Sequence, residues 1–257
     1  ESLRNLVAVG ARPHSLADCL NFGNPEKPVR LGDFKRVAEG LGKIARHLEI
    51  PFISGNVSFY NETENGPVKH TPTILASGII EDIKGSVTMD IKEEGSVLYL
   101  VGDTKEEMGG SEYYEMIGGK SKSVPDVDKE RLEDSVEEML DAHSKDLIKS
   151  CHDISLGGLA VAISEMCLAG DIGAEIDIDT DLRSDKFLFS ESNTRWIVEI
   201  KEKDMDEFED NFSIPLTRLG KTSSKSLKVS INGEQLIALD IEKIRKKWKE
   251  TLGKKMG

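Results

Sequence analysis

The chain has 257 residues, a formal net charge of −13 at pH 7, 38% hydrophobic residues and 32% charged residues. The acidic charge disfavours nucleic acids and anionic membranes as partners, because both bind surfaces on which Lys and Arg are clustered. No apolar run approaches the roughly 20 residues that a membrane-spanning helix needs, so a soluble protein is predicted. This length suffices for two modest domains, each with its own core, and we expect two.

The cysteines indicate where the protein is located, and the first residue indicates whether the sequence is a piece of a longer one. Cys19, Cys151 and Cys167 have no paired spacing, which indicates neither a disulfide framework nor a zinc site. We therefore expect a cytoplasmic protein. The sequence begins at Glu1, without an initiating Met and within a predicted helix, and it has no recognisable targeting segment. We expect a piece of a longer protein.

Helix and strand patterns follow one another along the first third of the chain. The predicted elements are a helix over 1–11, a strand over 15–20, an amphipathic helix over 31–48 and strands over 52–60 and 73–80. Charged residues and glycines then interrupt the pattern at 84–95. We place the domain boundary there, with an N-terminal domain that is incomplete at its start over 1–90 and a C-terminal domain over 91–257.

The second region mixes strands and helices without strict alternation, which favours an α+β fold. Strands are predicted over 97–102, 174–178, 196–200, 216–220 and 227–231, besides a short strand before the glycine pair at 157–158. Helices are predicted over 129–149, after that glycine pair, over 204–211 and over 241–252. Asp128 is a candidate cap for the first helix, and Leu147 is assigned to its buried stripe.

The stretch DCLNFGNPEKP, which begins at Asp18, interrupts the apolar pattern with turn-forming and oxygen-bearing residues. One interpretation is an Asx-type turn between a strand and a helix. The other makes Asp18 a ligand-binding carboxylate at the end of a strand, with Asn21 and Asn24 as neutral oxygen donors. Such oxygens suit Mg²⁺, which commonly bridges protein and phosphate.

A second polar stretch, SGNVSFYNE, begins at Ser54. Gly55 permits close approach by a ligand or by another strand, and Asn56 offers an amide oxygen. Ser58 lies on the same face as Asn56 if the segment is a strand. The alternative is a β-bulge at Gly55 with polar side chains that face solvent.

The third candidate is HDISLGGLAVAISEM, where glycines separate a strand from a helix. Amides at a helix start commonly hold anions, but the spacing fits neither a Walker A loop nor a dinucleotide fingerprint. The structural alternative has Asp153 or Ser155 capping the helix. In the later loop FSESNTRW, Glu191 and Arg195 are candidates to pair or to bind a ligand.

The five histidines show no metalloprotease spacing, and no serine lies in a G-x-S-x-G elbow. Metalloprotease and hydrolase functions are therefore disfavoured.

Several motifs, in this order, resemble the phosphoribosylformylglycinamidine synthase family, also called formylglycinamide ribonucleotide amidotransferase. They are RNLVAVGARPHSLADCLNFGNPEKP, SGNVSFYNET, GGSEYYE, CHDISLGGLAVAISEM and FSESNTR. The chain resembles the second half of the synthetase subunit. The resemblance implies two domains of the aminoimidazole ribonucleotide synthetase type.

The resemblance also implies an ATP-dependent C–N ligase of purine biosynthesis. In that family ATP activates the amide oxygen of formylglycinamide ribonucleotide, and ammonia then displaces phosphate to give the amidine. The implied partners are a glutaminase subunit, a small bridging subunit and the missing N-terminal half. A second expectation is that the chain pairs with itself through the N-terminal domain.

The resemblance implies roles for four residues: Asp18 and Gly55 contact ATP, Asn56 ligates Mg²⁺ and Ser58 contacts the substrate. The family's catalytic histidine lies in the other half, so no catalytic residue is assigned and the chain alone is expected to be inactive. The turn at Asp153 and the loop over 190–195 are either vestigial or part of a structural nucleotide site. The competing hypothesis is a non-catalytic half that stabilises its partner half and holds an auxiliary nucleotide.

Overall fold

The computed structural model describes residues 1–256, and helices and strands form most of this length. The α-helices, in chain order, are α1 (Ser2–Ala8), α2 (Pro28–His47), α3 (Glu112–Ile117), α4 (Lys129–Ser144), α5 (Gly158–Gly170), α6 (Ser184–Phe189), α7 (Met205–Asp210) and α8 (Ile241–Met256).

The β-strands fall into three sheets. In chain order they are β1 (Arg12–Asn21), β2 (Phe52–Ser58), β3 (Glu62–Thr63), β4 (Gly66–Pro67), β5 (Thr71–Ile79), β6 (Val97–Val101), β7 (Ser150–Asp153), β8 (Gly173–Ile178), β9 (Trp196–Ile200), β10 (Leu216–Ser223), β11 (Ser226–Ile231) and β12 (Glu234–Asp240). Two short 3-10 turns, Ile83–Gly85 and Glu202–Asp204, complete the regular structure of the described part.

The contacts within the chain divide it into two compact units. The smaller unit is formed by 11–81, and the larger by the chain from Asp82 onward together with 3–10. The opening helix therefore groups with the larger unit. The domain boundary placed after residue 90 stays a prediction.

The smaller unit contains a three-stranded sheet in the order β2-β1-β5. Its central strand β1 pairs in parallel with β2 and antiparallel with β5. Helix α2 connects β1 to β2, as a parallel pair requires. It begins at Pro28, a residue that suits the first helical turn because its missing N–H would have no partner there.

Aromatic rings pack α2 against the ends of β1 and β2. The ring centroid of Phe34 lies 5.2 Å from that of Phe22 and 5.1 Å from that of Phe59, both in edge-on geometry. Phe22 is fully buried and directly follows β1. This cluster fixes the strand ends that carry the two polar stretches.

The larger unit is built on a seven-stranded sheet in the order β12-β11-β8-β10-β6-β9-β7. Neighbouring strands run antiparallel except β8 and β11, which pair in parallel. Every residue of the central strands β6 and β9 is buried. The apolar helix α5 supplies Leu159, Ile163 and Met166 to the core on one side of this sheet.

A buried carboxylate anchors the chain where it enters this sheet. Glu199 of β9 has no exposed surface and accepts hydrogen bonds from the amides of Lys92 and Glu93, at 2.8 and 3.2 Å. It also accepts one from Ser150 Oγ at 2.8 Å. These bonds satisfy a charge that would be costly to bury alone.

The α+β fold predicted from the sequence is confirmed, and so is the strand over 196–200. Asp128 caps α4 by accepting from the amide of Arg131, as predicted. The helix predicted over 129–149 was drawn too long, because α4 ends at Ser144. Leu147 is buried, but it lies beyond that end.

The predicted caps of α5 were wrong. Its N-cap is Gly157, which has a φ of 80° and no side chain to cap the helix, so neither Asp153 nor Ser155 has that role. The sequence interpretation also missed β12, α3 and α6, which are short or lack a clear apolar period. Among the described helices, none combines the length and the apolar character that crossing a lipid bilayer requires.

Candidate functional site

The parallel pairing of β1 and β2 brings the two polar stretches side by side. Asp18 lies opposite Gly55, Cys19 opposite Asn56, and Asn21 opposite Ser58. Since both strands run in the same direction, their polar ends meet at one edge of the sheet. The four residues assigned from the resemblance are thus neighbours within one unit.

The register divides these residues between the two faces of the sheet. Successive side chains of a strand alternate, so Asp18 and Gly55 share one face. Asn56 and Ser58 lie on the other face, with Cys19 and Asn21 across from them. The expectation that Asn56 and Ser58 share a face agrees with this geometry.

Gly55 leaves room for the carboxylate of Asp18. A Cβ at position 55 would lie 2.7 Å from Asp18 Oδ2 and 2.9 Å from Oδ1, closer than side chains approach one another. The absence of a side chain at Gly55 therefore lets the carboxylate lie over the backbone of the neighbouring strand.

Asn56 is exposed, and its amide nitrogen faces Cys19 Sγ at 3.9 Å. Asn21 Nδ2 approaches the same sulfur at 3.7 Å. With the nitrogen of Asn56 directed at sulfur, its oxygen is the atom that a cation would meet. A neutral oxygen suits Mg²⁺, which keeps several waters and gains most of its negative charge from carboxylates or phosphates.

Ser58 forms a close pair with Asn61, three residues further on. Asn61 Nδ2 lies 3.1 Å from Ser58 Oγ, 3.0 Å from the carbonyl oxygen of Ser58 and 3.0 Å from that of Phe22. Ser58 Oγ also lies 3.3 Å from Asn61 Oδ1. Asn61 therefore ties the end of β2 to the end of β1.

Glu62 supports the loop that follows β1. Its Oε1 accepts from the amide of Asn24 at 2.9 Å, and its Oε2 pairs with Lys27 Nζ at 2.6 Å. The hydrogen bond from Lys27, followed by that from Asn24, lowers the pKa of Glu62. The sequence interpretation assigned no role to Asn61 or Glu62, although both lie within the polar stretch that begins at Ser54.

The glycine turn of the larger unit is already occupied by a carboxylate of the chain. Glu191 Oε1 accepts from the amide of Gly157 at 2.9 Å, at the start of α5. It accepts at the same distance from the amide of Glu112, at the start of α3. The glycine turn and the loop over 190–195, two separate motifs in the sequence, therefore meet here.

Arg195 holds that loop from within. It has no exposed surface and donates from Nε to Ser192 O, from Nη1 to Thr104 Oγ1 and from Nη2 to Ser190 O, at 2.7–2.8 Å. Burial lowers the pKa of this guanidinium to about 9. Its hydrogen bonds go to the loop and to Thr104, so of the two alternatives considered, pairing with Glu191 or binding a ligand, the pairing is not formed.

A second group of charged residues surrounds Asp153, at the end of β7. Arg4 of α1 lies 3.8 Å from Asp153 Oδ2, with both side chains almost fully buried. His152 Nδ1 lies 3.4 Å from Asp153 Oδ1, and His152 Nε2 lies 3.0 Å from Glu165 Oε2. Burial alone would lower the pKa of His152, but the hydrogen bonds that its ring donates to the carboxylates of Asp153 and Glu165 raise the pKa to about 9.

Within residues 1–256, no group of three or more His, Cys, Asp or Glu side chains is arranged to hold a metal ion. The cysteines are free: Cys151 and Cys167 are buried and Cys19 is partly exposed. A divalent cation at Asn56 would need further ligands, from bound phosphate or from another chain.

Two family profiles match the sequence in succession. Residues 1–80 match "AIR synthase related protein, N-terminal domain", and residues 93–231 match "AIR synthase related protein, C-terminal domain". The chain belongs to the AIR synthase related protein family. These two matches agree with the predicted pair of synthetase-type domains.

Several curated relatives of this chain are named phosphoribosylformylglycinamidine synthase subunit PurL. The chain is 40% identical to PurL of Methanothrix thermoacetophila over 270 residues, which is 100% of the chain and 35% of that protein. It is 38% identical to PurL of Methanocaldococcus jannaschii, covering 100% of the chain and 36% of that protein. The chain thus spans about a third of these relatives, and the predicted resemblance is confirmed.

Several solved structures share the fold of this chain. Thermotoga maritima PurL complexed with FGAR superposes with a TM-score of 0.81 at 18% identity, over 94% of this chain and 41% of that one. The same protein complexed with ATP gives 0.74 at 17% identity, over 93% and 39%. Escherichia coli HypE, a hydrogenase maturation protein, gives 0.69 at 14% identity, over 91% and 75%.

Proposed function

We propose that the chain is part of an ATP-dependent synthetase that converts formylglycinamide ribonucleotide and ammonia into formylglycinamidine ribonucleotide, a C–N ligase reaction. The observation that carries this proposal is the 40% identity to a protein named PurL across 100% of the chain. Further support comes from the T. maritima relative, whose structures hold FGAR and ATP.

The edge of the β2-β1-β5 sheet is the proposed ligand site. Asp18 and Gly55 would contact ATP on one face, while Asn56 would ligate Mg²⁺ and Ser58 would contact the substrate on the other. Mg²⁺ would supply charge neutralisation for phosphate oxygens. Because Asp18 and Asn56 lie on opposite faces, the carboxylates or phosphates that complete the metal site come from outside this pair.

The proposed partners follow from the same relatives. A solved assembly of T. maritima is named PurLQS, which supports a glutaminase subunit and a small bridging subunit beside the synthetase. The chain spans about 35% of its PurL relatives, so the remaining portion is a further partner. We propose a cytoplasmic location, in keeping with the free cysteines.

A second function is a structural half that holds an auxiliary nucleotide and stabilises the catalytic half. Two observations favour it. The start of α5 is filled by Glu191, and the face of Asn56 and Ser58 presents only neutral donors from the paired strands. Measured turnover and nucleotide binding separate the two functions.

The first experiment compares Asn56→Ala with the native chain in Mg²⁺-dependent ATP binding. Loss of one ligand to a charged group costs about 1.5–3 kcal/mol, or about tenfold to a hundredfold in affinity. Asn65→Ala, at an exposed turn of the same unit, is the matched control and should bind ATP normally. Unchanged ATP affinity with a lowered melting temperature would show that Asn56 is only a structural residue.

The second experiment measures amidine formation. The isolated chain should show no turnover with ATP, ammonia and formylglycinamide ribonucleotide, because no catalytic group is assigned to it. Adding the remaining portion of a PurL relative should restore turnover. Amidine formed by the isolated chain would contradict the half-enzyme proposal, and tight ATP binding without turnover in the assembly would favour the structural function.

A further inference from the structure

The amide group of Asn61 has an orientation that its main-chain partners impose. Nδ2 lies 3.0 Å from the carbonyl oxygens of Phe22 and Ser58. Both carbonyls only accept hydrogen bonds, so the nitrogen of Asn61 must face them and Oδ1 must face away. The side chain also bridges two strands, since Phe22 follows β1 and Ser58 ends β2.

This orientation determines what Asn61 offers to the hydroxyl of Ser58. The nitrogen lies 3.1 Å from Ser58 Oγ, and Oδ1 lies 3.3 Å from it. The amide nitrogen of Asn61 carries two protons for three acceptors, so one N–H is shared between the carbonyl oxygen and Oγ of Ser58. This shared N–H occupies one lone pair of Oγ and leaves the hydroxyl proton available. In the free protein the Ser58 hydroxyl donates this proton to Asn61 Oδ1. At 3.3 Å this hydrogen bond is long, so the hydroxyl can turn to a better acceptor on a ligand.

We propose that Asn61 is a positioning residue that makes Ser58 a hydrogen-bond donor toward an acceptor oxygen of the ligand, either a phosphate oxygen or a carbonyl oxygen. This inference rests on the proposed function, in which Ser58 contacts the substrate. The inference adds that Ser58 is the donor in that contact and that Asn61 makes it so. Ser58 would discriminate against a ligand that presents only an N–H donor at the same place.

The substitution Asn61→Asp tests this polarity, because a carboxylate has no N–H to donate to Ser58 Oγ and accepts the Ser58 proton more strongly than an amide oxygen does. We expect affinity for formylglycinamide ribonucleotide to fall about tenfold, as for a lost hydrogen bond to a charged or strongly polar group. Ser58→Ala should cause a similar loss. Ribose 5-phosphate, titrated in parallel, tells whether the acceptor is the phosphate.

A double-variant comparison separates this role from a structural one. In a chain that already carries Ser58→Ala, adding Asn61→Asp should change ligand affinity by less than about twofold, because the group through which Asn61 acts is gone. Equal losses in both backgrounds would overturn the proposal. Asn65→Asp makes the same chemical change at an exposed position and should leave affinity unchanged.

A spectroscopic measurement keeps the proposal testable if Asn61→Asp does not fold or if the chain binds neither probe. The side-chain amide protons of Asn61 should exchange slowly with water, and Ser58→Ala should shift their NMR signals. Absence of native-chain binding to both probes would count against the proposed function alone. Rapidly exchanging Asn61 amide protons, unaffected by Ser58→Ala, would overturn the inference whatever the ligand.

Discussion

At the scale of single residues, the absence of a side chain at Gly55 decides where the carboxylate of Asp18 lies. The backbone conformation of Gly55 does not require glycine, because Gly55 is not among the described glycines that have a positive φ. Glycine is required because a Cβ at position 55 would lie 2.7 Å from Asp18 Oδ2. The role of Gly55 is therefore steric and concerns its neighbour's side chain.

The variant Gly55→Ala should separate nucleotide binding from stability. The carboxylate of Asp18 ends a rotatable side chain and can move away, so we expect a stability loss below about 1 kcal/mol. If Asp18 contacts ATP, its displacement should lower ATP affinity about tenfold. Calorimetric titration together with a melting curve checks both values.

Gly40→Ala is the matched control for this variant. Gly40 lies within α2, and a Cβ there meets nothing within 4 Å. The alanine should raise the melting temperature slightly, because it favours the helix, and should leave ATP affinity unchanged. A large stability loss for Gly55→Ala with native ATP affinity would remove Asp18 and Gly55 from the nucleotide site.

The sequence predicted that the first polar stretch follows a strand and that the second lies within another, but it did not predict that Asp18 and Asn56 occupy opposite faces of one sheet. The pairing of β1 with β2 shifts register between Leu16 and Ala17. A shift of one residue exchanges the faces of all later side chains. Local patterns do not record such a shift, so the separation of Asp18 from Asn56 required the structure.

At the scale of elements, α5 shows how a helix start can be stabilised by a residue distant in sequence. Local rules favour a capping side chain immediately before the helix, which led to the wrong assignment of Asp153 or Ser155. Glu191 instead reaches the amide of Gly157 from 34 residues away. The long-range fold brings the two together, and no spacing rule describes that contact.

The ion pairs at the end of β7 predict a pH dependence of stability. The folded pKa of His152 is about 9, above its ordinary value of 6.5, so folding favours the protonated form. Its contribution is fully present below about pH 6.5 and is lost as pH rises through 9. The native chain should therefore lose stability across this window, by on the order of 2 kcal/mol after allowance for partial solvent exposure.

His152→Gln should abolish most of this pH dependence. Urea denaturation at pH 6 should show the variant to be less stable than the native chain, and the difference should shrink by pH 10. His14→Gln, at an exposed position of β1, is the control and should leave the pH profile unchanged. A difference between native and His152→Gln chains that stays constant from pH 6 to 10 would argue against the ion pairs.

At the scale of the whole molecule, the two units differ in how completely they cover their apolar surface. The larger unit buries a continuous core, whereas α2 of the smaller unit has no fully buried residue. Large apolar side chains on the strands of the smaller unit are also exposed: Ile53 by 71%, Leu75 by 65% and Ile79 by 55%. Exposed apolar strands of this kind commonly mark an association surface.

We predict that the isolated chain forms dimers through the smaller unit. Light scattering at micromolar concentration should give twice the mass of one chain, and Leu75→Glu should shift the mass toward the monomer. Met116→Glu in the larger unit changes a side chain that is 75% exposed and should have no such effect. A monomer at all accessible concentrations would contradict the prediction.

The carboxylate of Glu191 at the start of α5 has a consequence for phosphate in solution. A group attached to the same chain competes with free ligands at an effective concentration of millimolar or higher. Glu191 accepts hydrogen bonds from two backbone amides at 2.9 Å. Free phosphate would have to displace this carboxylate, which is covalently part of the same chain. Glu191 therefore keeps free anions away from that helix start, whereas Asn56, in the proposed ligand site, has no carboxylate of the described residues bound to its amide.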